Sequence, residues 1–261
     1  MRPGEAPRAY VDAPVTDLDE ATRAARHAAA HWRLCEPQLL RVGMNAIFGA
    51  DDVVLRVSVP TVDAVASLDL LEHLGRNGVR VPIPARDEVV RHGGVSVTGW
   101  HRIQPTAMPV DWHGVGTMVR AVHGLDPAEL PRSVPLPAPA SFPWWDFDTL
   151  LEQVAELIDA PARLGLLTTI ERHRGWQDLD GGVVCHGDVH PGNVMMTADG
   201  PVLIDWDLLC WAPPGWDHGP MVTWATRWGG DPDDYRAFAD GYDRDLADDE
   251  TTLAFAELRL V

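Results

Sequence analysis

Lysine is absent from this chain of 261 residues: all 21 basic side chains are arginine. Together with abundant Ala, Pro and Gly, that bias points to a GC-rich genome. Cysteine is scarce. Cys35, Cys185 and Cys210 form neither a paired framework nor a ligand-spaced cluster, which argues against structural zinc and disulfide staples and fits a reducing cytoplasm. No stretch approaches the roughly 20 apolar residues of a membrane span. The first residues show no basic segment followed by an apolar run, so no secretory signal is expected. Positive charge is in deficit as well, with 39 Asp and Glu giving a net charge of -18. Nucleic acid, whose binding needs basic patches, is an unfavourable partner. A hydrophobic content of 46% is enough for one substantial core or two modest lobes.

The most informative stretch runs from Val183 to Asn193 and contains His186-Gly187-Asp188-Val189-His190. Twelve residues after Asn193 comes Asp205, within Ile204-Asp205-Trp206-Asp207. In kinases, an Asp orients the acceptor hydroxyl, an Asn five residues later holds magnesium, and a second Asp after a later strand holds the magnesium that bridges the phosphates. Asp188, Asn193 and Asp205 have that spacing. Hard oxygen ligands of this kind suit Mg2+, which takes few protein oxygens and keeps several waters. The flanks supply strands: Val183-Val184, Val194 to Met196 and Val202 to Ile204 are short apolar runs, with Asp199-Gly200 as turn chemistry between the last two. If the last strand continues, Asp207 shares a face with Asp205 as a supporting carboxylate.

At these residues the chain resembles the aminoglycoside phosphotransferase and choline kinase family, which has a His-Gly-Asp-x-His-x-x-Asn loop and a later Ile-Asp-Trp or Ile-Asp-Phe. Weaker similarity runs from about Arg41 to Tyr242. The resemblance implies an α+β, protein-kinase-like bilobal fold: a small antiparallel-sheet N-lobe over residues 1–100 and a larger, mostly helical C-lobe over 101–261. It implies ATP with Mg2+ and a small-molecule acceptor, in a monomer or homodimer. His186 is expected to brace the loop backbone. His190 is expected to orient Asp188 or approach the phosphates. The family's nucleotide loop falls on the turn holding Gly43 and Asn45, between strands at Arg41-Val42 and Ala46 to Phe48. Arg56, in the third strand, takes the position of the phosphate-pairing lysine, and its planar fork can grip two phosphate oxygens. Trp100 and His101 end the strand that enters the hinge and are candidates to line the nucleotide pocket, where backbone groups meet the adenine.

Ser67 departs from the family pattern, standing where a helix Glu pairs the strand base. The helix in question is expected from Thr61 to Arg76 on the spacing of Val62, Val65, Leu68, Leu71 and Leu74. Asp63, one turn before Ser67 on the same face, is the substitute partner the sequence offers. Upstream, residues 17–34 read as an Ala-rich helix capped by Thr16 or Asp17.

Beyond the hinge, Gly114 to His123 reads as a helix, Pro127 to Pro143 as a connector too rich in proline for one, and Trp144 to about Ile158 as helix again. This insert is expected to lie over the acceptor cleft as a lid. Asp217 is expected to cap the helix that follows Pro213-Pro214 or to face the acceptor, and Trp216 to be core. Residues 1–100 carry 13 Asp and Glu against 11 Arg, whereas 101–261 carry 26 against 10. A negative cleft concentrates cations. Ten of the eleven Trp fall between 100 and 228, and indole faces attract cations. A cationic acceptor follows, an aminoglycoside or a basic cyclic peptide antibiotic. Three alternatives stay open: a kinase of choline, homoserine or a sugar; a nucleotide-binding pseudokinase, given the missing lysine and Ser67; and a metallophosphatase, given Gly-Asp-x-His, although that family's later Gly-Asp-x-x-Asp and Gly-Asn-His segments are absent.

Overall fold

The structure is a computed structural model that describes residues 13–60, 63–176 and 181–259. It begins with α1 (Leu18–His31), whose N-terminus is closed by the Asp17 carboxylate accepting the Glu20 N–H at 2.8 Å. Five alanines of α1, at 21, 24, 25, 28 and 29, are buried. Methyl-sized side chains let the helix lie close on the sheet, where Phe48, Leu55, Val57 and Val97 complete one hydrophobic cluster.

That sheet contains β1 (Gln38–Val42), β2 (Ala46–Ala50), β3 (Val53–Ser58), β4 (Val90–His92) and β5 (Val95–His101) in the order β1-β2-β3-β5-β4, antiparallel throughout. Alternation along β3 buries Leu55 and Val57 and turns Val54 and Arg56 to the other face. β1, β2, β3 and β5 agree with the sequence reading, which had no strand at β4. Between β3 and β4 runs α2 (Val65–Arg76), which starts at Val65 rather than Thr61; Thr61 and Val62 lie outside the described residues.

Helices dominate the remainder. They are α3 (Trp112–His123), α4 (Phe147–Gln153), α5 (Ala160–Arg172), α6 (Gly215–Val222), α7 (Trp224–Trp228), α8 (Pro232–Tyr242) and α9 (Glu250–Leu258). Two antiparallel ladders interrupt them: β6 (Val183–Cys185) with β9 (Cys210–Ala212), and the hairpin of β7 (Val194–Thr197) with β8 (Gly200–Leu203). Close packing of α3 on α8 requires Gly116, because a Cβ there would come 2.0 Å from the Phe238 carbonyl oxygen. The largest core joins α2 (Leu68, Leu70, Leu71, Leu74) to α3 and to the catalytic-loop strands through Val184, Val194 and Leu203.

The proline-rich insert corrects two expectations. Helix forms only over α4, after a short 3-10 turn at Pro143–Trp145. Nor does the segment lie free as a lid. Leu130 and Val134 enter the core beside α2, the Ser133 hydroxyl donates to Asp69 at 2.6 Å, and Phe142, Trp145 and Phe147 pack with Trp176, Trp216 and Phe255. A buried aromatic of this size contributes about 1.5–3 kcal/mol, so the strap is held at both ends. The same burial revises the aromatic argument for a cationic pocket. Seven of the eleven Trp are core residues, and only Trp144, Trp211 and Trp228 are strongly exposed.

Candidate active site

The loop after β6 carries Asp188 on a backbone that only glycine can begin. Gly187 has φ +94, and a Cβ there would lie 2.0 Å from the Leu208 carbonyl oxygen. Asp217 fixes the loop from below. Its two carboxylate oxygens accept the N–H groups of His186 and Gly187, each at 2.8 Å, and Oδ2 also faces His123 Nε2 at 3.1 Å. It is fully buried, so it neither caps α6 nor faces an acceptor, as the sequence had suggested. Burial opposes its charge, yet the hydrogen bond and charge of His123, with the loop N–H groups, keep the carboxyl below its ordinary pKa. His123, Cys185 and Asp217 lie within 4.8 Å of one another, but the Asp217 oxygens already accept N–H donors, which makes the trio a hydrogen-bond hub.

His186 braces the loop as expected, with Nε2 3.0 Å from the Ile204 carbonyl and Nδ1 accepting the Asp188 N–H at 3.2 Å. Burial lowers its pKa, which keeps Nδ1 an acceptor. Asp188 is then oriented from three sides. Asn193 Nδ2 donates to the Asp188 carbonyl at 2.9 Å and to its Oδ2 at 3.0 Å; His190 Nε2 lies 3.3 Å from Oδ2; Arg259 Nη1 lies 3.7 Å from Oδ1. Burial works to raise the Asp188 pKa, but the His190 hydrogen bond and the charges of His190 and Arg259 outweigh it and hold the carboxyl below its ordinary value. The same hydrogen bond raises His190. Because His190 Nδ1 accepts the Gly192 N–H at 3.1 Å, a neutral Nε2–H ring satisfies both partners.

Asp205 is brought beside this group by the β7-β8 hairpin, whose register pairs Val194 with Leu203 and whose Ile204 N–H donates to the Asn193 carbonyl at 2.9 Å. The strand ends there. Asp205 adopts φ 66, ψ 68, and Trp206–Leu208 forms a 3-10 turn, so Asp207 does not continue a strand face. A left-handed non-glycine residue beside a catalytic-type loop is strain of the sort stored at functional sites. Burial, then the charge of Asp207, raises the Asp205 pKa. With Nδ2 turned to Asp188, the carbonyl oxygen of Asn193 is the atom that could serve a cation. An amide oxygen and a carboxylate make a hard donor set that fits Mg2+.

Asp207 turns instead to Arg56, with its Oδ2 2.5 Å from Nη2. The suggested partner Asp63 is engaged elsewhere, 2.6 Å from Arg91 Nη2. Gly43 and Asn45 form the β1-β2 turn, where the Gly43 N–H donates to the Asn45 carbonyl at 3.0 Å. Trp100 is 7% exposed, its Nε1 donating to Thr98 Oγ1 at 2.9 Å, so it packs as core; His101 is exposed. The N–H groups of His101 and Arg102 already donate to Ile83 and Asp52 carbonyls.

Sequence reasoning missed Arg259. It follows α9, donates from Nη2 to the Gly187 carbonyl at 2.7 Å and stacks 4.9 Å over the Trp216 ring. No motif marks it.

Behind the hub, His218 is 0% exposed and its pKa is lowered to about 4, first by burial and then by the charge of His123. A histidine depressed in the folded state contributes stability that is complete above its unfolded pKa of 6.5 and is lost as pH falls toward 4. Urea unfolding should therefore show about 2 kcal/mol less stability at pH 5 than at pH 7 from this group, and His218→Gln should flatten the slope. An equal slope in the variant would assign the loss to other groups.

A half-buried Asp held by Asn and His, with a second Asp at a strained turn beneath a five-stranded antiparallel sheet, is the arrangement of kinase-type phosphotransferases. The chain belongs to the phosphotransferase enzyme family, whose sequence profile matches residues 47–255. The metallophosphatase alternative is thereby set aside. Among solved structures, the fold is similar to the aminoglycoside phosphotransferase APH(3'')-Id from Streptomyces rimosus, at 18% identity over 94% of this chain and 98% of that one, with TM-score 0.66. It is also similar to the spectinomycin phosphotransferase APH(9)-Ia, solved with ADP and spectinomycin, at 17% identity over 87% and 80%, TM-score 0.64. A thermostable mutant of APH(4)-Ia matches at 13% identity over 88% and 87%, TM-score 0.65. No curated protein matches in sequence.

Proposed function

We propose that the chain transfers the γ-phosphoryl group of ATP to a hydroxyl of a small cationic acceptor of the aminoglycoside or basic-peptide-antibiotic type. The observation that carries this reading is the Asp188 carboxylate, held by Asn193, His190 and Arg259 beside Asp205 yet still open to solvent at one-third of its side-chain surface. Asp188 aligns the acceptor hydroxyl and takes its proton as the O–P bond forms. Its lowered pKa makes it a weak base, which suits a loose transition state in which proton removal comes late. His190 and Asn193 fix its rotamer. Arg56 neutralises phosphate oxygens from the sheet side, with the β1-β2 turn at Gly43 and Asn45 beside the phosphates and His101 near the base.

Asn193 and Asp205 would hold Mg2+, which supplies charge neutralisation at the phosphate oxygens when bound. Positioning and electrostatics provide most of the rate in such transfers. Residues 1–100 form the nucleotide-binding lobe and 101–261 the catalytic and acceptor-binding lobe. The acceptor class is supported by the charge of the second part, 26 acidic residues against 10 Arg, and by neighbours of the same fold solved with ADP and streptomycin or spectinomycin. A cytoplasmic location is supported by three free cysteines and by the use of ATP.

The test is ADP release by the purified protein against aminoglycosides, basic cyclic peptides, macrolides, choline, homoserine and sugars. A cationic antibiotic should release ADP and gain about 80 Da, one phosphoryl group. Release with choline, homoserine or a sugar alone moves the assignment to a metabolite kinase. Nucleotide binding with no transfer to any acceptor makes it a pseudokinase.

A further inference from the structure

A chain without lysine has to hold its phosphate-facing cation by other means, and the cross-lobe ion pair shows how. In protein kinases the strand lysine is positioned by a glutamate on the helix that follows. Here the strand cation is Arg56, α2 has Ser67 at the matching position, and Asp63, just before α2, pairs with Arg91 where both side chains are more than half exposed. Arg56 meets Asp207, 151 residues away in sequence, at 2.5 Å. Both side chains are largely shielded, with 20% and 14% of their surface exposed. Asp207 lies in the 3-10 turn that opens on Asp205. The pair therefore ties the sheet of the first lobe to the turn carrying the candidate magnesium ligand.

We infer that Asp207 is a positioning residue that holds Arg56 over the phosphate site, doing from the metal-binding turn what a helix glutamate does in protein kinases. This rests on the phosphotransferase reading above. A guanidinium suits the task because its donors are spread over three nitrogens in a rigid plane, so one edge can keep a carboxylate while another meets phosphate. A lysine ammonium presents a single point of charge. Placing the counter-ion on the Asp205 turn couples two events that a helix glutamate keeps apart. Presentation of Asp205 and placement of Arg56 then depend on the same turn.

The experiment measures binding of Mg2+ with a non-hydrolysable ATP analogue by calorimetry, so that it does not depend on turnover. Asp207→Asn should weaken binding about tenfold, and in an Arg56→Gln background it should add little, because the two residues act as one unit. The weakening should persist when EDTA replaces Mg2+. Asp207→Glu, which keeps the charge, should stay within about threefold of the parent protein. A full, additive effect in the Arg56→Gln background would overturn the inference, as would an effect confined to Mg2+, which would make Asp207 a metal ligand. Asp207→Glu binding as weakly as Asp207→Asn would overturn it too. Failure of the parent protein to bind the analogue is a different result and removes the phosphotransferase reading itself.

Discussion

Asp205→Asn should abolish turnover while leaving the protein as stable as before, or slightly more so. The two halves of that expectation have separate causes. Asp205 is held with φ 66, a left-handed conformation that asparagine tolerates about as well as aspartate, so the substitution adds no backbone strain. Burial, followed by the neighbouring Asp207 charge, raises its pKa, which means the ionised carboxylate is a net burden on the fold at neutral pH. Removing the charge relieves that burden. Function moves the other way. A carboxylate that neutralises a metal on the phosphates acts where charge develops, and losing it should lower kcat on the order of 10^3-fold or more. Asp188→Ala should cost roughly 10^2- to 10^4-fold, the range for a residue that handles one proton and one orientation. Steady-state ADP release and urea unfolding on the same preparations decide the matter. An Asp205→Asn enzyme within tenfold of the parent would remove Asp205 from the metal role.

The elements that could be read in the sequence are those whose cause is local. Asp17 before an alanine-rich run announces α1, alternation around Leu55 announces β3, and Asp199-Gly200 announces the turn between β7 and β8. The loop from His186 to Asn193 was legible because its chemistry fixes its spacing. What escaped depends on distance. Helical-wheel reasoning pointed Arg56 toward Asp63, four residues before Ser67, whereas the structure pairs it with Asp207 in the turn after β8. The end of β8 at Leu203 has no local mark, since Ile204-Asp205-Trp206 suits a strand as well as a left-handed break. Tryptophan count suggested a cation-binding wall, but an indole's address is set by packing, and Trp145, Trp176 and Trp216 form core. Arg259 was invisible for the same reason: its contacts with Gly187 and Trp216 exist only once α9 has docked.

Asp217 is where that kind of long-range contact should have its largest effect. Its carboxylate is the meeting point of the His186 N–H, the Gly187 N–H and His123 Nε2, all buried. Asp217→Ala strands two backbone donors and a histidine in the interior at once. Breaking a buried charged pair from one side costs about 3–5 kcal/mol, a large share of the stability of a typical domain. Asp217→Asn is more informative, because it keeps the volume and fails for a definable reason. The two N–H groups are bonded to different oxygens, so whichever way the amide is turned, its NH2 meets one donor head-on. One unsatisfied buried group costs about 1–3 kcal/mol, which leaves a folded protein to assay. In that protein Asp188 is still present with its partners, but the start of its loop has lost one of two anchors. kcat should fall while KM for the nucleotide changes little, since Arg56 and Asp205 belong to other elements. Hydrogen exchange at His186 and Gly187 should quicken in step. If Asp217→Asn keeps full kcat with faster exchange at those two amides, the bracing of the loop is structural only and Asp188 is positioned by Asn193, His190 and Arg259 without it.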